Sequence, residues 1–287
     1  MGWMTEPGES ARSFTIQHVG RDGSRRADDR LAVEEPMEIR VGFGTPGART
    51  ARSLSITMRT PGNDFELAVG FLFTEQIVSR PEHVADVSFC GAPAPGRSTS
   101  NIVKVELKPE VEVDLGRLQR HFYTTSSCGI CGKASLDAVE ATGLPALDPE
   151  RPRVRADVVH GFPDLLRASQ PVFAMTGGLH AAALVSADGT LSTLREDVGR
   201  HNAVDKLLGR RVLDGKTSLG DEIMVVSGRA SFEIVQKALV AAVPVIVAVG
   251  APSSLAVDLA ERRGMTLIGF ASRDRFNVYS GFRRMMQ

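Results

Sequence analysis

The chain has 287 residues, with 34 Lys plus Arg against 34 Asp plus Glu, so its formal net charge is zero. With 43% hydrophobic residues, disorder as the main state is excluded, and the balanced charge argues against a general polyanion binder, so no nucleic-acid partner is expected. Three cysteines, Cys90, Cys128 and Cys131, are too few for a disulfide framework, and no apolar run of signal-peptide type occurs near the amino terminus; a cytoplasmic location is expected.

Residues 1–30 are rich in charge and glycine, lack a periodic apolar face and read as a flexible leader. From Leu31 the pattern changes. Short strands are predicted over 37–41 and 54–58 around a Gly/Pro turn. Pro61-Gly62-Asn63-Asp64 supplies a turn and helix start. Phe65, Ala68, Val69, Leu72 and Phe73 then fall at helical spacing and predict a helix to about Val78. Further strands are predicted over 84–89 and 102–107. The polar, glycine-bearing run 123–132 leads into a helix over 133–141, and the Pro-rich acidic segment 143–153 marks a boundary. An N-terminal α+β region over 31–145 and an α/β domain over 146–287 are expected.

Beyond the boundary, a helix is predicted over 162–169, and strands over 180–185 and 191–194 flank the hairpin signal Ala187-Asp188-Gly189. A helix over 202–208 follows. Strands at 223–226, 245–249 and 266–270 alternate with helices at 232–243 and 255–263, a β-α-β-α-β pattern whose right-handed crossovers make the strands parallel. Residues 238–257 carry no charge over a length that could span a bilayer. Pro244, Gly250 and Pro252 interrupt them, so they read as buried core and no membrane contact is expected.

The chemistry gathers at the strand ends. Ser227-Gly228-Arg229-Ala230-Ser231 follows the first parallel strand, Gly250-Ala251-Pro252-Ser253-Ser254 the second and Ala271-Ser272-Arg273-Asp274-Arg275 the third. Ligands of open α/β sheets collect at such ends. Glycines there allow close backbone approach and helix N-termini attract anions. Each turn alone reads as an ordinary capped connection with solvated arginines; the three together predict a phosphate or nucleotide site. Neither G-x-x-x-x-G-K-[ST] nor G-x-G-x-x-G occurs at these turns.

Cys128-Gly129-Ile130-Cys131 admits three readings. A structural zinc site needs four ligands, and a single C-x-x-C with distant Cys90 and scattered histidines falls short. A thioredoxin-like pair would follow a strand, whereas here a polar loop precedes it. A mobile nucleophile fits the flanking glycines and a helix start that favours thiolate; such a cysteine could carry sulfane sulfur as a persulfide. Spacing alone leaves the last two open. His180 opens a strand, and His201 opens a helix beside Asp197; they read as a core histidine and a helix cap, or as a shared pocket wall in which His201 or Asp197 steers protons or ligand oxygens. Cys90, at a strand end, is expected to be buried and unreactive.

TTSSCGICGKASLDAV, TGGLHAAAL, EDVGRHNAVDKLLG, SGRASFEIVQKA and APSSLAVDLAERRGMTLIGFASRDRFNVYS, anchored by PGNDFELAVGFLFTEQIV, together resemble the formate dehydrogenase accessory proteins, the FdhD sulfurtransferases. The likeness runs from about Leu31 to about Tyr279. It implies a three-layer α/β fold, with a cytidine-deaminase-like larger domain and a smaller N-terminal α+β domain. It also implies sulfur transfer from a cysteine desulfurase, through a persulfide on Cys128 with Cys131 as its partner, to a bis(molybdopterin guanine dinucleotide) molybdenum cofactor destined for formate dehydrogenase. Phe270, Ala271, Ser272, Arg273, Asp274 and Arg275 match the family's cofactor-binding segment. The sheet-edge argument adds Ser227, Gly228, Arg229 and His201 as further contacts. A homodimer is expected, and no protein-ligated metal. A deaminase would need a glutamate beside its histidine, but His180 is followed by Ala181 and Ala182, which disfavours deamination. The alternative from another class is a non-catalytic chaperone of the cofactor with a regulatory C-x-x-C.

Overall fold

The computed structural model describes residues 10–93, 99–113 and 143–286. Its first element is a hairpin: β1 (Ala11–Gly20) and β2 (Gly23–Ala32) pair antiparallel from Ala11 opposite Ala32 to Gly20 opposite Gly23. The flexible leader expected over 1–30 is therefore ordered structure from residue 11 onward. Both faces of this ribbon are largely polar and exposed, so no apolar alternation announces it. Backbone pairing through a tight turn holds it, with Gly23 at φ 124°. The ribbon is anchored by Ser10, which donates from its hydroxyl to Pro61 O at 3.1 Å.

Side-chain alternation builds the next sheet. β3 (Glu35–Phe43) buries Met37, Ile39 and Val41, and β4 (Thr50–Arg59) pairs beside it as an edge strand. α1 (Asp64–Thr74) follows and stops four residues short of the predicted end. Gln76 takes a left-handed φ of 57°, and Gln76 and Ile77 donate back to Phe73 O and Leu72 O, which closes the last turn. β5 (Val84–Phe89) and β6 (Ile102–Leu107) complete a sheet of order β4-β3-β6-β5, with β3 and β6 parallel.

A short strand β7 (Val154–Arg155) leads into α2 (Ala156–Ala168), which begins six residues before its predicted start and carries Pro163 within it. α3 (Pro171–Thr176) is a single short helix. The second sheet is then laid down by β8 (His180–Val185) and β9 (Leu191–Asp197), α4 (Arg200–Leu213), β10 (Ile223–Val226), α5 (Phe232–Val240), β11 (Val245–Ala248), α6 (Ser254–Arg262), β12 (Thr266–Gly269) and β13 (Asn277–Ser280). Its order is β13-β12-β11-β10-β8-β9, and β10, β11 and β12 are parallel as the alternating pattern requires. β14 (Met285–Met286) returns to pair with β7. α5 ends at Val240, short of the predicted Val243, because Ala242 adopts φ 56°.

Every residue of β10, β11 and β12 is buried, as expected of a parallel sheet covered on both faces. The period of two decides which layer each meets. Ile223, Val225, Val245 and Val247 share a core with Val159, Phe162 and Leu166 of α2, whereas Met224, Val226, Ile246 and Ala248 share one with α4, α5 and α6. The result is a three-layer α/β/α arrangement. The second core runs on without a break into α1 and the four-stranded sheet. α1 crosses α4 at backbone contact: a Cβ on Gly70 would lie 1.8 Å from Asp205 O, and one on Gly209 would lie 1.9 Å from Glu66 O. No helix of the described residues is long and apolar enough to cross a membrane.

Candidate functional site

Because β10, β11 and β12 are parallel neighbours, the three turns that follow them stand side by side at one sheet edge. Main-chain bonds lock them together. Gly250 N–H donates to Gly228 O at 3.0 Å, Ser253 N–H to Ala230 O at 3.0 Å and Phe270 N–H to Gly250 O at 3.1 Å. A Cβ on Gly250 would fall 2.9 Å from Gly228 O, so only glycine permits this approach. Ser231 and Ser253 cap α5 and α6 through their hydroxyl oxygens.

The antiparallel strand β8 starts at the same edge with His180, and α4 starts beside it with Arg200 and His201. Gly228 lies against both: a Cβ there would sit 3.3 Å from His180 Nδ1 and 3.8 Å from Arg200 Cδ. His201 Nε2 is 3.3 Å from Ser231 Oγ and 3.4 Å from the Glu233 carboxylate. Ser227, Gly228, Arg229, His201 and the 270–275 turn thus share one edge.

Their roles within it differ. Ser227 Oγ accepts from Ala181 N–H at 2.8 Å and ties β8 to β10. Ala271 is buried, and its side chain belongs to the core beneath the turn. Phe270 is 45% exposed at φ 54°, a left-handed conformation that bulky residues seldom adopt, and it displays its ring at the edge. Ser272 and Arg275 close a tight turn through Ser272 N–H to Arg275 O at 2.9 Å and Arg275 N–H to Ser272 Oγ at 3.1 Å. Asp274 and Arg275 are exposed. Arg273 reaches sideways to Asp164 of α2, Nε to Oδ2 at 2.5 Å, and His160 Nδ1 lies 3.1 Å from Ser272 O.

The electrostatics favour anions. Burial pushes the His201 imidazole down to about 4; Glu233 opposes this, while Arg200, Lys237 and His180 reinforce it. Burial and Arg200 also lower His180. Both rings are therefore neutral at pH 7, and the positive charge of the edge belongs to arginine. Asp197 is not a pocket group. It is fully buried, accepts from Thr60 N–H, Gly199 N–H and Asn202 Nδ2, and pairs with Lys206 Nζ at 2.7 Å. It fastens the start of α4 to the segment before α1, which leaves it no free oxygen for a ligand.

Below His201 a line of charge enters the core. Glu233 lies 4.0 Å from Lys237, which is held by both oxygens of Asp205 at 2.9 Å and by Thr74 Oγ1 at 3.0 Å. Burial alone would strip the proton from Lys237, but the carboxylates of Asp205, Glu75 and Glu233 outweigh it and hold its pKa above the ordinary lysine value. This pair joins α1, α4 and α5 beneath the edge.

Cys128 and Cys131 lie outside the described residues. Cys90 is partly exposed rather than buried as expected, because it follows β5 at a sheet margin, with Arg40 and Lys104 close enough to interact with it. Arg200 and Asp164 escaped the sequence reading. A cation as the first residue of a helix opposes the helix dipole, and that unfavourable placement at Arg200 is the signal that could have marked it.

The FdhD/NarQ family model matches residues 32–286. A Streptomyces coelicolor protein named sulfur carrier protein FdhD is 50% identical over 268 residues, covering 92% of each chain. A Mycobacterium tuberculosis protein of the same name is 49% identical over 269 residues, covering 92% of this chain and 95% of its own. The Sulfurisphaera tokodaii protein of that name is 42% identical over 259 residues, with 90% and 92% covered. Among solved structures, one described as a putative formate dehydrogenase accessory protein from Desulfotalea psychrophila superposes with a TM-score of 0.71 at 23% identity, over 96% of this chain and 99% of that one.

Proposed function

The chain belongs to the FdhD/NarQ family, and from that premise we propose that it is a sulfur carrier serving formate dehydrogenase, with Cys128 as the residue that holds the sulfur. The observation that carries this reading is the C-G-I-C motif at 128–131, set in a chain about half identical, over nine-tenths of its length, to proteins named as sulfur carriers.

The Cys128 thiolate attacks the outer sulfur of a desulfurase cysteine persulfide, and the desulfurase thiolate departs. One S–S bond forms and one breaks, leaving Cys128 as the persulfide. Discharge follows when the Cys131 thiolate attacks Cys128 Sγ. The outer sulfur leaves as sulfide to become a molybdenum ligand, the two cysteines are oxidised to a disulfide, and a thiol reductant restores them. The acceptor is the bis(molybdopterin guanine dinucleotide) molybdenum cofactor, held as cargo at the edge formed by 227–231 and 270–275. Exposed Phe270 offers a face for the guanine base, and Arg273 and Arg275 offer partners for phosphate. The chain acts as a homodimer in the cytoplasm, and its larger domain is read as cytidine-deaminase-like without a deaminase's glutamate. Loading the protein with a desulfurase and cysteine should add about 32 Da, one sulfur atom, to the chain. Cys128→Ser should abolish that gain, and a variant that still acquired it would contradict the assignment.

A further inference from the structure

One partly buried cation at the edge has no partner among the described residues. Arg200 is the first residue of α4 and lies against Gly228. Its Nε is buried and donates to nothing, and none of the described carboxylates forms an ion pair with it. Most other buried or partly buried arginines here are satisfied: Arg59 by Asp64, Arg195 by Glu66, and Arg284 by main-chain oxygens of Arg151 and Gly264. A buried donor left unpaired is costly, so an unpaired guanidinium donor at a ligand-facing edge marks a place where an acceptor belongs. The neighbours agree with an anion. His180 and His201 are neutral, and both carboxylates nearby are engaged elsewhere: Asp197 with Thr60, Gly199, Asn202 and Lys206, and Glu233 with His201 at 3.4 Å. Absence of a side chain at Gly228 keeps the space over His180 and Arg200 open. Neither cap serine competes for the guanidinium: Ser231 and Ser253 are engaged with their own helices.

We infer that Arg200, with Gly228 and His180, forms a diphosphate subsite separate from the 270–275 turn. The inference rests on the cofactor-binding reading of the same edge and extends it. β12 and β10 are two strand spacings apart, about 10 Å, so one ligand can meet Phe270 with its base and Arg200 with its phosphates. A cargo with two nucleotide arms can instead place its second diphosphate there. The chemistry in both cases is bidentate recognition of phosphoryl oxygens by a guanidinium.

Titration calorimetry of the full chain with inorganic pyrophosphate tests this, repeated after saturation with guanosine 5′-diphosphate. Arg200→Gln should weaken pyrophosphate binding at least about tenfold, the scale of one lost charge-assisted contact. Arg200→Lys, which keeps the charge but not the fork, should recover only part of that affinity. Nucleotide that blocks pyrophosphate identifies its own diphosphate as the occupant, and additive binding identifies a second arm; either supports the subsite. Pyrophosphate affinity within about twofold of the parent in both variants, each retaining a cooperative melt, would overturn it. Because this readout is anion binding, it stays separate from sulfur loading at Cys128: either result can fail while the other stands.

Discussion

Arg200, His180 and His201 occupy the same few ångströms, yet only one of them is charged at neutral pH. The histidines are kept neutral by burial and by Arg200 itself. A neutral ring that resists protonation in the folded chain has a consequence for acid stability. The folded value of His201 is about 4 against an ordinary 6.5, so the unfolded chain binds its proton first as pH falls. The His201 contribution to stability is complete above about 6.5, is lost progressively down to about 4, and falls no further below that. Each unit of that difference amounts to about 1.4 kcal/mol at most, reduced because the ring is partly solvated. His201→Gln should therefore lose less stability than the parent between pH 6.5 and 4 in urea unfolding. Parallel curves would show that the ring titrates normally. These residues also explain where reading from sequence stopped. His201 stands out by type, whereas Arg200 is one arginine among 28, and what distinguishes it is a buried, unpaired Nε at this edge.

At the scale of elements, two contacts carry most of the arrangement. The α1–α4 crossing leaves no room for a methyl group on either helix. Gly70→Ala or Gly209→Ala should cost at least about 3 kcal/mol, the upper range for overpacking, and lower the melting temperature by roughly 10 °C. Gly161→Ala in α2, where a Cβ meets nothing within 4 Å, should be neutral or stabilising. Melting curves of the three variants check this, and a Gly70→Ala chain that melts like the parent would refute the close crossing. The second contact is the Arg273–Asp164 bridge, which ties the 270–275 turn to α2 while both side chains remain exposed. Asp164→Ala should leave the melting temperature nearly unchanged, because exposed pairs contribute little. It should raise affinity for guanosine 5′-diphosphate several-fold by freeing the guanidinium, and unchanged or weaker affinity would remove Arg273 from the ligand's contacts.

For the molecule as a whole, legibility followed how each element earns its place. β10 and β11 are continuous apolar runs of four residues, β12 is a buried Thr-Leu-Ile-Gly, and the two helices between these strands open on serine caps, so composition and punctuation were sufficient to locate them. The β1–β2 ribbon is largely polar and exposed on both faces and held by its own ladder, and α3 is six residues long; neither leaves a clear periodic trace. The convergence of 227–231 with 270–275 could be anticipated because parallel topology forces it. The partnership of Arg273 with α2 could not, since Asp164 lies 109 residues away in sequence. Family membership then joins this edge to the C-G-I-C motif in one chain, and the central claim is that sulfur passes through the first of those two thiols. The most direct test is to restore formate dehydrogenase maturation in cells lacking their own copy of this carrier. The account predicts that the parent chain restores formate oxidation and that an equally abundant, folded Cys128→Ser chain does not. Equal restoration by both would contradict it, leaving a protein that shelters the cofactor without handling its sulfur.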